Sequence, residues 1–391
     1  MAINDLDVVQ ASTILNAAVA QAQGSVALST QLDTKDFVTV ATTALKTGLD
    51  KLNTGLSQVL SRTIFSARPY TRKFKVLEAD AIRYGNHVRK INYIDKAATT
   101  DPGYALVNGP GIDMYAISKP QVIQTNFYGY NTFDYVQTIY KEQLNMALKG
   151  PEEWAGFLGG LLQTVQNKIE QFHEESARMA LLNLIGGHIN LNASTNCVIH
   201  LLTEYNAFAG TTLTATTVFY PANFPDFARW MYARLETLSR MLQERSRNRH
   251  MNLTAGDIMR HTPAEEQRLI MLAGDMDLVK TNVLATTYNS EYLKTIPRED
   301  VTFWQNIQVP SDINLDASFM KADGTIDNAV VTAANVFGVL FDREAVGYTM
   351  VNQSYEVTPY NVAGKYWNHY WSFQDRYWND FTENAIILVL D

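Results

Sequence analysis

Cysteine is nearly absent. Cys197 stands alone in 391 residues, which excludes an internal disulfide framework and suits a reducing compartment. Long hydrophobic runs are missing too: no stretch approaches the roughly 18 uninterrupted apolar residues that a membrane span needs. The first ten residues carry Asp5 and Asp7 where a secretory leader would need positive charge, so the chain is expected to be made and kept in cytoplasm. A basic surplus is absent. The net charge is −8, which argues against strong, sequence-independent nucleic-acid binding by the chain as a whole. Internal repeats and glycine-rich periodicity are lacking as well, against a fibre or β-solenoid.

Catalytic signatures are equally scarce. The histidines (His87, His173, His188, His200, His250, His261 and His369) never fall at metal-binding spacing on one expected element. His173-Glu174-Glu175 resembles a fragment of a zinc-protease motif, but Ala177 stands where the second histidine belongs. Cys197 and His200 are close in sequence but lack a third, orienting group, so a buried spectator thiol is the expectation. No GxSxG, P-loop or GxGxxG occurs, and Asp323-Gly324-Thr325-Ile326-Asp327 is too short for a calcium loop and reads as a turn. Glu174-Glu175 and Glu265-Glu266 read as solvated helix faces. No catalytic residue, cofactor or metal ligand is expected.

What is present is apolar and aromatic material: 46% hydrophobic and 11% aromatic residues, enough for a sizeable core in about two or three domains. Residues 1–60 are small and polar, with one amphipathic pattern through Val38, Ala41, Leu45, Leu49, Leu52, Leu56 and Leu60. Val88–Ile94 alternates, with Val88, Lys90, Asn92 and Ile94 on one face and Arg89, Ile91 and Tyr93 on the other. Gln121–Tyr130 is a second β-like run, and the turn-rich stretch Ala97–Lys119 between them predicts a two-stranded projection with a flexible tip. Gly150-Pro151 opens a long helix whose stripe runs from Trp154 to Leu182 and is expected to end at Gly186-Gly187. Asn190–Thr217 reads as strands and loops. Pro225-Asp226 opens a second helix, with Arg245, Arg247, Arg249 and His250 at its C-terminal, dipole-favoured end. Ala264–Met276 reads as a short helix. Val336–Phe341, Val346–Val351, Tyr366–Phe373 and Ala385–Leu390 read as strands.

Charge is unevenly spread. Leu60–Lys96 holds nine bases against three acids, whereas Leu340–Asp391 holds three bases against seven acids. Such asymmetry is expected if copies pack a basic arm onto an acidic body.

Four stretches carry a family likeness: LSRTIFSARPYTRKFKVLEADAIRYGNHVRKINYID (Leu60–Asp95), FYGYNTFDYVQTIYKE (Phe127–Glu142), the Trp154–Ile185 helix, and TPYNVAGKYWNHYWSFQDRYWNDFTENAIILVL (Thr358–Leu390). In this order they resemble the major capsid proteins of tailed bacteriophages, small short-tailed phages above all, whose fold is shared with encapsulins and the herpesvirus capsid floor. The likeness is weakest over Asn190–Asn335. It implies an α+β fold with an N-terminal arm (1–75), an extended β-ribbon loop and flanks (76–132), and a peripheral domain (133–222) with a spine helix (151–185). An axial domain (223–340) and a return to the peripheral domain (341–391) complete it. It further implies pentamers and hexamers of an icosahedral shell around double-stranded DNA, held by non-specific contact. A portal protein at one vertex is implied too, and, because no long charged segment precedes the arm, a separate scaffolding protein. Residues expected at the subunit interface are Arg83, Arg89, Lys90 and Lys96 of the ribbon region and Asp375, Asp380 and Glu383 of the acidic end. Rival readings are an encapsulin-like compartment and a phage-encoded carboxylate hydrolase.

Overall fold

The computed structural model describes residues 72–79, 88–94, 121–128, 130–147, 151–254, 256–274 and 298–391, with isolated positions between 98 and 119. The amphipathic pattern at Val38–Leu60 and most of the Ala97–Lys119 tip lie outside the described residues.

β1 (Val88–Tyr93) and β2 (Val122–Phe127) form an antiparallel ribbon in the register Val88↔Phe127 to Tyr93↔Val122. The Ile94 amide donates to the Gln121 carbonyl and adds one more rung. β3 (Tyr130–Tyr140) follows, then the short α1 (Lys141–Ala147) and the long α2 (Pro151–Asn190). Forty residues give α2 a length of about 60 Å.

The helix does not stop at Gly186-Gly187. A side chain on Gly186 would meet Cβ of Ala317 at 3.0 Å, and one on Gly187 would meet the Phe381 ring at 2.3 Å. The glycines therefore admit close neighbours, and the helix continues through them to Asn190. Its last turns, Ala180–His188, are buried on nearly every side except Asn183. Asn183 is tied to β7 (Ile313–Met320): its side chain donates to the Ser318 carbonyl (2.8 Å) and accepts from the Ser318 amide (2.7 Å). Met179, expected on the buried stripe, is 65% exposed.

The stretch read as strands and loops after α2 holds two helices: α3 (Asn192–Thr195), then β4 (Val198–His200), then α4 (Leu201–Ala209). Leu201, Leu202 and Tyr205 bury one face of α4, and Gly210 at φ +65° ends it. α5 (Phe224–Gln243) begins one residue before Pro225. The basic run beyond it does not cap the helix. Arg247 pairs with Asp257 at 2.9 Å, Arg249 donates to the Asn196 carbonyl, and His250 is buried against Asn384. Within the stretch read as a helix at Ala264–Met276, Gln267–Leu272 forms a strand, β5, covered on both faces, whose apolar run Leu269–Leu272 hides a period of two.

The remaining strands are β6 (Arg298–Val301), β8 (Ile326–Ala333), β9 (Val336–Asp342), β10 (Val346–Val357), β11 (Tyr366–Asn379) and β12 (Ala385–Val389). β7 and β8 make a hairpin whose turn uses Gly324 at φ +84°. β10, β11 and β3 make a three-stranded antiparallel sheet, and β4, β12, β9, β5 and β6 a five-stranded mixed one. β11 joins β3 while β12 inserts between β4 and β9, so the chain's end serves two sheets.

The five-stranded sheet divides two apolar clusters. Ile270, Val339, Phe341 and Ile387 face α2 and β10, with Leu181, Leu184, Ile185 and Tyr348. Leu269, Met271, Leu340, Ile386 and Leu388 face α4 and α5, with Tyr205, Phe227, Met231 and Leu238. Aromatic β11 lies along α2, with Phe133, Phe172 and Phe373 in mutual ring contact at 5.6–5.9 Å.

Candidate functional site

Two places join the body to its extensions. The first is the root of the ribbon. β1 alternates, so Val88, Lys90 and Asn92 turn inward, Ile94 continues that row, and Arg89, Ile91 and Tyr93 point away. The Lys90 ammonium enters a pocket between the β9–β10 and β11–β12 turns. There it meets Glu344 Oε2 at 2.9 Å, Asp380 Oδ2 at 3.1 Å and Glu383 Oε1. Arg260 closes the far side, 2.8 Å from Glu383 and donating to the Thr382 carbonyl at 3.0 Å. Asp380 and Glu383 are buried, and Glu344 lies at the exposed rim. Burial alone would lower the Lys90 ammonium, but Asp380 and Glu383 outweigh it and hold the group above its ordinary value. Burial pushes the Glu383 carboxyl up to about 7, against the pull of Lys90 and Arg260. Deeper along the ribbon Asn92 is buried, and Ile94 packs so closely on Gly256 that a side chain there would meet Ile94 Cγ2 at 2.6 Å.

The outward face of the ribbon has no such cover. Ile91 is 48% exposed, Tyr93 72% and Val122 56%. Between β2, α2 and the β7–β8 hairpin runs a groove of about 970 Å³, lined by Ile123, Phe127, Phe133, Phe172, Met179 and Ile326 among others.

The second place is where the described chain begins. Arg72 donates to Glu170 at 3.1 Å and pairs with Glu78 at 2.6 Å. The Lys73 amide donates to Glu174 at 3.2 Å, and the Phe74 amide to Glu299. The Arg178 guanidinium lies between the Phe74 and Phe303 rings (5.1 and 4.1 Å) and donates to the carbonyls of Phe303 and Trp304. The spacing of Glu170, Glu174 and Arg178 puts all three on one stripe of α2, which holds Arg72, Lys73 and Phe74 against the helix.

The sequence-nominated interface residues separate. Arg83 and Lys96 lie outside the described residues. Arg89 is exposed on the outward face. Lys90, Asp380 and Glu383 do meet, but within one chain, and two of the three are too deeply covered to receive a neighbour's arm. Asp375 is buried on β11, where its carboxylate holds His173 of α2 at 2.8 Å. Within the chain, Asp380 and Glu383 therefore meet the ribbon's Lys90, and Asp375 meets the long helix through His173. Arg260, Glu344 and Arg72 were not singled out from the sequence: each lies outside a regular strand or helix, with no periodicity to mark its partner.

The buried acids Asp380 and Glu383 are paired with cations: Lys90 meets both, and Arg260 meets Glu383. Cys197 is buried, and burial pushes its thiol up to about 12, far from a nucleophile's range. No group of three or more metal-ligating side chains occurs among the described residues. Burial likewise lowers His188 to about 3 and His369 to about 4, so both are neutral core groups.

Comparison with known proteins gives this geometry its context. No curated protein matches the chain. A chain in the capsid structure of Staphylococcus phage Andhra is similar at 9% identity and a TM-score of 0.55, with 82% of this chain and 84% of that one covered. Another, in the structure of the head fiber and inner core protein gp22 of native bacteriophage P68, is similar at 10% identity and a TM-score of 0.56 over 82% and 85%. At such identities the likeness is one of fold. The family model of the Phi29-like phage major capsid protein matches residues 12–389. With arm anchor, ribbon, long helix and two-sheet body in the same order, the chain belongs to the Phi29-like phage major capsid protein family and is a structural subunit of the virion shell.

Proposed function

We propose that copies of this chain meet as pentamers and hexamers, and that the outward face of the ribbon is one of the surfaces through which they meet. The observation that carries this reading is the ribbon's asymmetry: one face is docked on its own body, while the other presents Ile91, Tyr93 and Val122 to solvent. Two-stranded ribbons are marginal alone, and an apolar stripe on a projecting one is the mark of a partner surface. The partner is another copy, since the family builds shells from many copies. Residues 133–222 and 341–391 serve as the peripheral part and 223–340 as the axial part, meeting copies around the symmetry axes.

Each exposed polar contact contributes little, about 0.2–1 kcal/mol. Repetition over a closed lattice makes the shell stable, while weak single contacts let misplaced subunits leave. Assembly takes place in the host cytoplasm on a separate scaffolding protein, with a portal at one vertex, and the filled shell holds double-stranded DNA by non-specific contact. The role is structural rather than enzymatic.

Electron microscopy and sedimentation of the protein, expressed with and without its neighbouring genes, test the reading. Closed shells or rings of five and six are expected, and dependence on a neighbour identifies the scaffold. Deleting Ala97–Lys119 is expected to keep the fold and abolish shells; normal particles from that deletion would remove the ribbon's assigned role.

A further inference from the structure

We propose that Lys90 is a latch: by seating its ammonium among Glu344, Asp380 and Glu383, it fixes the direction in which each subunit carries its ribbon before any neighbour is met. The inference deepens the shell reading, because it names the positioning residue for the surface that reading assigns.

Three inward residues at alternate positions hold the ribbon to the body. Ile94 supplies a tight apolar contact with Gly256, whereas Asn92 is buried with its Nδ2 unpartnered. Such contacts oppose lifting but tolerate some sliding. Lys90 differs. Its three carboxylate partners come from two separate turns, Asp342–Val346 and Asn379–Ala385, and those turns are tied together: the Asp342 amide donates to the Asn384 carbonyl and the Asp380 amide to the Ala345 carbonyl. Arg260, anchored on the Thr382 carbonyl, holds the same Glu383 Oε1 that Lys90 meets, and so ties that carboxylate to the body. The pocket is therefore tied together and acidic, and beside Arg260 it takes the ribbon's ammonium at one place.

Lifting the ribbon would leave Asp380 and Glu383 buried without Lys90, an outcome far more unfavourable than separating an exposed pair. A ribbon pinned in this way is pre-aimed, and its outward stripe meets a neighbour without first losing conformational freedom. The other titratable groups near the pocket are His188 and His250, whose burial holds each below its ordinary value. Both face Asp380 or Asn384 from behind, and neither reaches Lys90.

The test is amide hydrogen exchange on the unassembled full-length chain, separated from shells by sedimentation. In Lys90→Met, exchange in Val88–Tyr93 and Val122–Phe127 is expected to rise about tenfold or more, while Ala385–Val389 and Leu181–Ile185 keep their protection. Lys90→Arg is expected to restore most of it. Unchanged ribbon exchange in Lys90→Met overturns the latch, and so does an increase of equal size throughout the chain. If Lys90→Met fails to fold, Glu344→Lys at the exposed rim serves instead, placing a second cation at the pocket mouth. It must loosen the ribbon selectively or the proposal fails. The readout does not depend on shells. A latch without shells would remove the capsid assembly reading alone, and shells with an unlatched ribbon would remove this inference alone.

Discussion

Lys90 shows how one side chain can set the pH behaviour of a region. The Glu383 carboxyl is raised by burial to about 7, above its unfolded value, so its ionisation opposes folding as pH rises through that point. Lys90 is displaced the same way, above an already high value, so its contribution persists at every pH where the protein is handled and offsets the carboxylates. Removing the ammonium leaves two buried acids and only Arg260. The Glu383 carboxyl then rises further, and its unfavourable ionised state is met over a wider range. Lys90→Met is therefore expected to be destabilised by about 3 kcal/mol above pH 7 and by clearly less near pH 5, where protonation of Glu383 relieves the pocket. Denaturant melts of both proteins at the two pH values check this. A deficit that grows on acidification would mean the pocket does not confine the acids as described.

At the scale of elements, the ribbon divides its work between its faces, and substitutions on each should separate fold from assembly. Tyr93→Glu and Ile91→Asp alter only exposed positions, so the subunit's melting midpoint is expected to stay within about 2 °C. Shell yield is expected to fall at least about tenfold, because a charge would enter an apolar contact between copies. Counting particles by electron microscopy against soluble subunit decides it, and full yield with both substitutions would place the contact elsewhere.

The ribbon was also among the most legible elements. Strict alternation in Val88–Ile94 announced both its faces, just as Pro151 announced α2 and the aromatic ending announced β11. Elements covered on both sides were harder to read. β5, with apolar residues at nearly every position, has no period to reveal, and α4 was masked by the threonines around its short Leu201-Leu202-Tyr205 face. The root pocket was half legible. Its acids and Lys90 stood out as a charge asymmetry, but composition cannot tell a contact within one copy from a contact between two. The back-folding that decides this depends on Gly256 receiving Ile94.

At the scale of the whole molecule, the five-stranded sheet makes two cores into one structure. β5, β9 and β12 supply alternate side chains to both apolar clusters, so neither cluster can dissolve without stripping one face of strands on which the other depends. β12 is central, hydrogen-bonded to β4 on one side and β9 on the other. α2 extends the coupling to the three-stranded sheet, where the Asn379 side chain donates to the Ala180 carbonyl at 2.7 Å and His173 meets Asp375. A subunit built to tile a shell gains from this: load arriving at the α5 side passes through the sheet to α2 and the ribbon root rather than into a hinge. Phe227→Ala, which empties a fully buried site between α5 and the sheet, is expected to destabilise by about 3–5 kcal/mol. If the sheet unites the cores, that loss must appear equally in both, so exchange protection should fall together in Met231–Leu238 and in Leu181–Ile185 across the sheet. Loss confined to the α5 side would show two separately unfolding units, and the shell would then contain a flexible joint at β12.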